Sequence, residues 1–335
     1  MSNSKVCGWC GSWDLWRRVP RIDVGTNANL EALVDVDLDT LATALYVRTD
    51  DLVKGRPELA PWRPAIGLKP QVSDAELVAL AVMCALLGFD SESRWVRYAR
   101  THLRHLFPYL PGQSGYNKRL RRLAVLLNAV IAHLAADTSV FTDDIVIVDS
   151  TPVECARSRE TVKRSELAGW AEYGYCASHS RFFWGLRLHL VATIHGLPLA
   201  YTLTGAKADE RSVLTELIAS VPALSGGGRT VIADKNYYGR GFETTLAATG
   251  FTLLRDARVG EKPRRGTHLL KPLRQTVESV FDTLKGQLSL ERHGGRTPTG
   301  VIVRVLQRLL AMTAAIWHND HTNQPIRRSL ITYDH

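Results

Sequence analysis

Two aspartates each follow a short apolar run. Asp149 comes after IVIV at 145–148, where the first strand of a sheet is predicted to end, and Asp234 comes after VIA at 231–233. Such runs are typical of buried strands in an α/β sheet, and α/β folds bind their ligands at the carboxyl edge of the sheet. If the two strands are neighbours, both carboxylates emerge close together. A lone aspartate at a strand end is more often a helix cap or part of a surface turn, so neither residue is decisive alone.

A third carboxylate, Glu278, lies in the predicted amphipathic helix LRQTVESVFDTLKGQL. Arg274 precedes Glu278 by four residues and Lys285 follows it by seven, so an α-helix would place all three on one face. Three carboxylates offer the hard oxygen ligands of a site for two Mg²⁺ ions, with Mn²⁺ as the alternative. Asp149, Asp234 and Glu278 are therefore the candidate catalytic residues and metal ligands.

The elements that would position these acids follow residue 137. The spacing of apolar residues along the sequence predicts three strands, followed by a helix, a strand, a helix, a strand and a helix. A hairpin turn is predicted at His195–Gly196. Asp209 is explained as the cap of a helix. This order predicts an α/β architecture, a mixed sheet flanked by helices, over residues 138–320, ending in a C-terminal helix. Residues 321–335 are predicted to be a tail.

The sequence before the sheet predicts helices. Residues 1–72 are poorly defined and end in a proline-marked linker. Residues 73–137 predict three helices: one opened by the capping box Ser73–Glu76, one reaching about Phe107, and a long one capped by Ser114. Three helices joined by tight turns resemble a helix-turn-helix module, which would bind DNA. The alternative is an ordinary helical bundle with solvated arginines.

The charge of the chain favours an anionic partner. There are 42 Lys and Arg against 33 Asp and Glu, a formal net charge of +9 and a pI near 9.4. The candidate DNA contacts in the helical module are six cations: Arg97, Arg100, Arg104, Lys118, Arg119 and Arg122. Lys235 and Asn236, directly after Asp234, are expected to meet phosphate oxygens. Tyr237 and Tyr238 would either stack on frayed bases or pack as half-buried loop aromatics.

The cysteines and the hydropathy of the sequence indicate in which cellular environment the protein is expected to work. Five cysteines make no disulfide framework, and the CGWC of Cys7 and Cys10 has no second CxxC with which to hold zinc. No signal peptide or membrane span is visible, which predicts a soluble intracellular protein with no membrane partner.

From about Val72 to the C-terminus, the sequence resembles the DDE transposases of bacterial insertion sequences. The family's carboxylates map onto Asp149 in IVIVDST, Asp234 in IADKNYYG and Glu278 in RQTVESVFDTLK. Many relatives carry Tyr-x2-Arg-x3-Glu-x6-Lys around the Glu. This chain has Arg274, Glu278 and Lys285 at that spacing, and Lys271 where the Tyr would stand.

The resemblance implies a ribonuclease-H-like catalytic core that cleaves DNA and joins strands with divalent metal ions. It also implies binding of the transposon ends and of target DNA, a homodimer or larger assembly on DNA, and a bacterial cytoplasmic, nucleoid-associated location. Two rival functions remain. A structure-selective nuclease on the same fold would lack end-specific DNA binding, and a non-enzymatic DNA-binding descendant would have lost the triad.

Overall fold

The computed structural model describes residues 38–64, 66–176, 180–221, 224, 228–264, 266–267, 270–326 and 330, without the side chains of residues 271, 272 and 274. The CGWC of Cys7 and Cys10 lies outside the described residues. The chain divides into two compact units. A sheet unit includes Thr142–Ile194 and Leu199–Glu278, and a helical unit includes Val34–Phe141, His195–Pro198 and Ser279–His335.

The helical unit is built from these helices: α1 Leu38–Gly55, α2 Asp74–Leu86, α3 Glu92–His102, α4 Gln113–Arg122, α5 Ala124–Ala136 and the last helix, Pro298–His321. The capping box that opens α2 is confirmed, because the Ser73 side chain accepts from the Glu76 amide and the Glu76 side chain accepts from the Ser73 amide. Ser91 caps α3.

The predicted long third helix is two helices. It starts after Gly112 rather than Ser114 and breaks at Leu123, whose amide donates to the Leu120 carbonyl in a tightened turn. No Gly or Pro marks this break, so the sequence pattern runs through it. The second helix also stops earlier than predicted, at His102, where Leu103 ends it in a turn that leads to Phe107.

The last helix belongs to the helical unit, which differs from the predicted domain division. It packs against α5, α2 and α1. Trp317 donates its indole N–H to Asp137 at 2.9 Å, and the Gln307 amide donates to the Ala81 carbonyl at 2.7 Å. It is the one described helix long and apolar enough to cross a membrane, but 78% of its apolar window is buried. Burial in the core accounts for that composition.

The sheet unit contains a six-stranded sheet and its helices. In chain order they are β1 Ile145–Ala156, α6 Arg159–Arg164, β2 Glu172–Cys176, β3 Arg181–Thr193, β4 Pro198–Gly205, α7 Glu210–Ser220, β5 Thr230–Ile232, α8 Arg240–Ala248, β6 Thr252–Leu254 and α9 Leu270–Asp282. The strand order is β2-β3-β1-β5-β6, with β4 also paired to β3. Strand β1 is antiparallel to β3 and parallel to β5, and β5 is parallel to β6. The predicted mixed sheet is confirmed.

Strand β1 is longer than predicted. It runs through Pro152 to Ala156, so Asp149 lies inside the strand rather than at its end. The antiparallel ladder with β3 extends from Val146 to Ala156, whereas the parallel ladder with β5 covers only Ile145–Ile147. Asp149 therefore stands where the parallel pairing stops. Strand β2 and helix α6 were not predicted, because no long periodic run marks either of them.

Candidate active site

The register of the sheet aligns the two aspartates. Ile147 pairs with Ile232 across β1 and β5, and Asp149 and Asp234 each stand two residues beyond that pair. Neighbouring strands lie about 4.8 Å apart, so the two residues leave the sheet side by side. Both are half-buried. The predicted meeting of these carboxylates at one sheet edge agrees with this register.

A hydrogen-bonded network holds the strand next to Asp149. The Ser150 hydroxyl donates to Glu210 Oε1 at 2.5 Å. Arg187 Nη1 donates to the Ser150 oxygen at 2.9 Å and to Glu210 Oε1 at 2.8 Å. Charge-assisted bonds of this kind are stronger than neutral ones and fix side-chain geometry. Ser150, Arg187 and Glu210 thus tie β1, β3 and the first turn of α7 together beside Asp149.

The loop after Asp234 is organised around that carboxylate. The Lys235 amide donates to Asp234 Oδ1 at 2.7 Å, and the Asn236 side chain donates to Oδ2 at 3.0 Å. Asn236 was expected to meet phosphate oxygens, but in this structure its amide holds Asp234 in place. The Lys235 side chain is exposed.

The two tyrosines of this loop differ. Tyr237 is buried, so its ring is not available for stacking on DNA bases. Burial raises the pKa of Tyr237 well above its usual value, and the nearby carboxylates of Glu210, Asp149 and Asp234 raise it further. Tyr238 is half-buried, with the Arg258 guanidinium 3.6 Å from its ring centroid. The charges of Glu210 and both aspartates therefore all act on one buried phenol.

Glu278 lies near the end of α9 and is exposed. Among the described side chains, no three His, Cys, Asp or Glu residues form a group that could hold a metal ion, so Glu278 is not assembled with the aspartate pair here. The Arg274 side chain lies outside the described part of the chain. Lys285 lies in a π-helical segment, Thr283–Gln287, which follows α9 directly.

The predicted common face of Arg274, Glu278 and Lys285 assumed a regular α-helix. The π segment is confirmed by the Leu288 amide, which donates to the Thr283 carbonyl five residues earlier. A π turn takes more residues than an α turn, so Lys285 lies at a different angle around the helix from the one that a regular α-helix would give it. That Lys285 shares a face with Glu278 stays a prediction.

The donor set suits a hard divalent cation only in part. Asp149 and Asp234 supply aligned carboxylate oxygens, the ligands that Mg²⁺ and Mn²⁺ prefer. A cavity of about 430 Å³ opens beside Lys235 and is also lined by Asp256, Glu261 and Thr267. The described residues thus provide two of the three predicted ligands at one place.

The predicted DNA contacts of the helical unit divide into two groups. Five of them are exposed: Arg97, Arg100, Arg104, Lys118 and Arg122. Arg119 is instead half-buried, where Nη1 donates to the Val72 carbonyl at 2.6 Å and Nη2 pairs with Asp74 at 3.0 Å. Its neighbour Asn117 donates to both oxygens of Glu92 at 2.8 Å. Arg119 is committed to the interior of the unit, so its prediction as a DNA contact is not supported by this geometry.

Sequence reasoning missed Ser150, Arg187 and Glu210. Glu210 directly follows the cap residue Asp209, so it reads as an ordinary acidic residue in the first turn of a helix. Arg187 is one of many basic residues, and Ser150 is part of a strand. No sequence pattern links the three residues, because Glu210 lies 60 residues from Ser150 and 23 from Arg187. They come together only in the folded chain.

Comparison with known proteins gives one family. A sequence profile described as "Transposase DDE domain" matches residues 141–314, a range that includes Asp149, Asp234 and Glu278. Among curated protein sequences, none matches the chain. One of the similar solved structures is a cryo-EM structure of a piggyBac transposase synaptic complex with hairpin DNA. It has 11% sequence identity and a TM-score of 0.43, with 90% of this chain and 77% of that chain covered.

Proposed function

Since the chain belongs to the transposase DDE domain family and is a DDE transposase, we propose that it is the enzyme of a bacterial insertion sequence. In this proposal it binds the terminal inverted repeats of its element, cleaves the DNA there and transfers the freed strand to target DNA. The observation that carries the proposal is the alignment of Asp149 with Asp234 at one sheet edge.

Asp149 and Asp234 would hold the divalent ions, and Glu278 is the third ligand that the family pattern assigns. Two bound Mg²⁺ or Mn²⁺ ions supply Lewis-acid charge to a scissile phosphate and its leaving oxygen. The protein's own side chains fix the geometry of the aspartates and bind the DNA phosphates.

Three neighbours of the aspartates keep this edge in one geometry. Arg187 and Glu210 fix Ser150, and Asn236 fixes Asp234. The exposed Lys235 offers a cation beside the aspartates, where it would bind a DNA phosphate. We propose the same contact for Lys285, which is half-buried, and for Arg274.

End recognition is assigned to the helical unit. Its exposed cations on α3, in the turn after α3 and on α4 are taken together as a basic surface (Arg97, Arg100, Arg104, Lys118 and Arg122). Contacts of these cations with phosphates would position the unit on duplex DNA and make binding depend steeply on salt. We further propose a homodimer or larger assembly on DNA and a bacterial cytoplasmic, nucleoid-associated location.

The test is a cleavage assay with the purified chain. Duplexes that carry the element's own ends are incubated with Mg²⁺ and a target plasmid, and nicks and joined products are mapped. Scrambled duplexes of equal length serve as the control. We expect nicks at the element's ends and joined products. Cleavage of both duplexes without joining would establish the nuclease, and binding of the ends without cleavage would establish the non-enzymatic descendant.

The salt dependence of binding tests the electrostatic part separately. The log of the association constant should fall linearly with the log of the salt concentration, by about 0.9 per phosphate neutralised. A slope near zero would contradict DNA binding through the basic surface. Sedimentation of the DNA complex measures the assembly state.

A further inference from the structure

The hairpin of β2 and β3 carries three exposed aromatic rings. Tyr173 is 53% exposed, Tyr175 is 48% exposed and Phe182 is 78% exposed. Tyr175 pairs with Phe182 across the two strands, and their ring centroids are 5.0 Å apart at an interplanar angle of 56°. We call these three rings the aromatic face. Large apolar side chains grouped on a surface mark an interaction site more often than scattered ones do.

The opposite face of the same hairpin is packed. Cys176 and Phe183 are buried with Ala206 in one apolar cluster. A Cβ atom on Gly174 would lie 2.7 Å from the Ala206 Cβ and 2.8 Å from the Phe183 ring, so only glycine allows this approach. Because one side of the hairpin is fixed in the core, the alternation of a strand turns Tyr173 and Tyr175 outward. The aromatic face is a consequence of the fold and has a defined orientation.

One arginine connects the aromatic face to the candidate active site. Arg187 Nη2 donates to the Tyr175 carbonyl at 3.4 Å, and Nη1 of the same guanidinium donates to Ser150, the residue after Asp149. The backbone of Tyr175 is thus one side chain away from Ser150, the chain neighbour of Asp149. A nucleotide near a phosphate held at Asp149 would be within reach of these rings.

The charges beside the aromatic face favour nucleic acid over a second copy of the chain. Arg181 precedes Phe182, and Arg157, with a side chain 78% exposed, lies close by, since both arginines pair with Glu154. Surfaces that bind single strands combine aromatic rings with cations that track the phosphates, whereas the core of a protein–protein interface is depleted of charge.

We propose that the aromatic face is a stacking surface for unpaired DNA bases next to the catalytic aspartates, an inference that rests on the proposed transposase function. The occupant is a single-stranded segment at a DNA end. Stacking does not depend on sequence, because every base has a π face. The face would hold the strand near the aspartates without adding to the recognition of the terminal repeats.

The test compares single-stranded with duplex DNA. The probes are a fluorescein-labelled oligothymidylate of about 20 nucleotides, longer than a typical single-strand site, and a blunt duplex of the same length. In the double variant Tyr175→Ala/Phe182→Ala, we expect affinity for the single strand to fall by on the order of tenfold, with duplex binding unchanged. The double variant Tyr175→Phe/Phe182→Tyr keeps both rings and should bind as the wild type does.

Two controls separate stacking from loss of structure. Trp62→Ala removes an exposed ring, 82% accessible, from the helical unit and should leave single-strand binding unchanged. Thermal unfolding of each variant checks the fold. If the double variant does not fold, Phe182→Ala alone serves, because that ring is the most exposed of the three. With 2-aminopurine in the strand, stacking on the wild type quenches its fluorescence, and the alanine variants should lose that quenching.

Three outcomes overturn the inference or its premise. Single-strand affinity equal to the wild type in a folded double variant overturns the stacking surface, while wild-type cleavage and joining would leave the proposed function intact. A wild type that binds neither probe and cleaves nothing overturns the proposed function itself. A DNA-free wild-type dimer that the double variant abolishes, with DNA binding unchanged, assigns the aromatic face to a second copy.

Discussion

Asp149 in β1 and Asp234, in the loop directly after β5, each lie two residues past the Ile147–Ile232 pair of these adjacent parallel strands. The alignment depends on the difference in length between the two ladders of β1. The parallel ladder ends at Ile147, while the antiparallel ladder with β3 continues to Ala156 and keeps Asp149 inside a fixed strand. One carboxylate is thus held by the sheet and the other by the loop that leaves it.

The first prediction concerns the three acids. Asp149→Asn, Asp234→Asn and Glu278→Gln should each fold and bind duplex DNA, yet produce no Mg²⁺-dependent nicks. Carboxylates placed side by side repel one another without metal, so neutralising one aspartate should leave the stability of the metal-free protein unchanged or slightly raised. The measurements are nick mapping and thermal unfolding. Wild-type cleavage and joining by any one variant would remove that residue from the site.

The second prediction separates two arginines of α4. Arg119 bonds the Val72 carbonyl and Asp74, so Arg119→Ala should lower the free energy of unfolding by about 1–3 kcal/mol. Arg122 is exposed, and Arg122→Ala should change that free energy by no more than about 0.5 kcal/mol while weakening duplex binding. Denaturant unfolding and a binding titration measure the two effects. Equal stability of both variants would contradict an internal role for Arg119.

The third prediction concerns His189, which is buried on β3 and lies 2.9 Å from the Thr204 hydroxyl. Burial, and next the charge of Arg187, lower the pKa of His189 from 6.5 to about 4. Between these values the unfolded chain binds the proton and the folded chain does not. The free energy of unfolding of the metal-free protein therefore keeps its full value above pH 6.5. It decreases as the pH falls toward 4, by up to about 3 kcal/mol.

The measurement is the free energy of unfolding against pH for the wild type and for His189→Gln. The variant lacks the titrating group, so its curve should be flatter in this window. An unchanged slope would assign the acid sensitivity to other groups.

The fourth prediction tests the bulge in β1. Gly185 faces the point where the ladder register shifts between Glu154 and Ala156, and a Cβ there would lie 2.1 Å from the Val153 carbonyl oxygen. Gly185→Ala should destabilise the fold by about 1–3 kcal/mol, because backbone must move. Gly241 in α8 has nothing within 4 Å of such a Cβ, so Gly241→Ala is the matched control.

Alanine at position 241 should stabilise the protein or leave it unchanged, within about 1 kcal/mol. Denaturant midpoints at constant slope give both values. Equal midpoints for the two variants would show that the strand relaxes around the new methyl group.

Local features of the fold followed from the sequence alone. The capping box at Ser73 and Glu76, the cap at Asp209 and the turn at His195–Gly196 were each predicted and are present. These features arise from contacts between residues a few positions apart, and a short window of sequence contains all the groups involved. The apolar runs before Asp149 and Asp234 similarly predicted the strands, and with them the mixed sheet of the family.

The tertiary structure decided which distant groups meet. It paired Arg119 with Asp74, 45 residues away, and Glu210 with Ser150, 60 residues away. It carried β1 past Pro152, because pairing with β3 supports that strand, and it put Lys285 in a π turn where the sequence predicts a regular α-helix. Hydrophobic periodicity reports which face of an element is buried, but the register of neighbouring strands and the partner of a buried charge depend on packing between segments far apart in the chain.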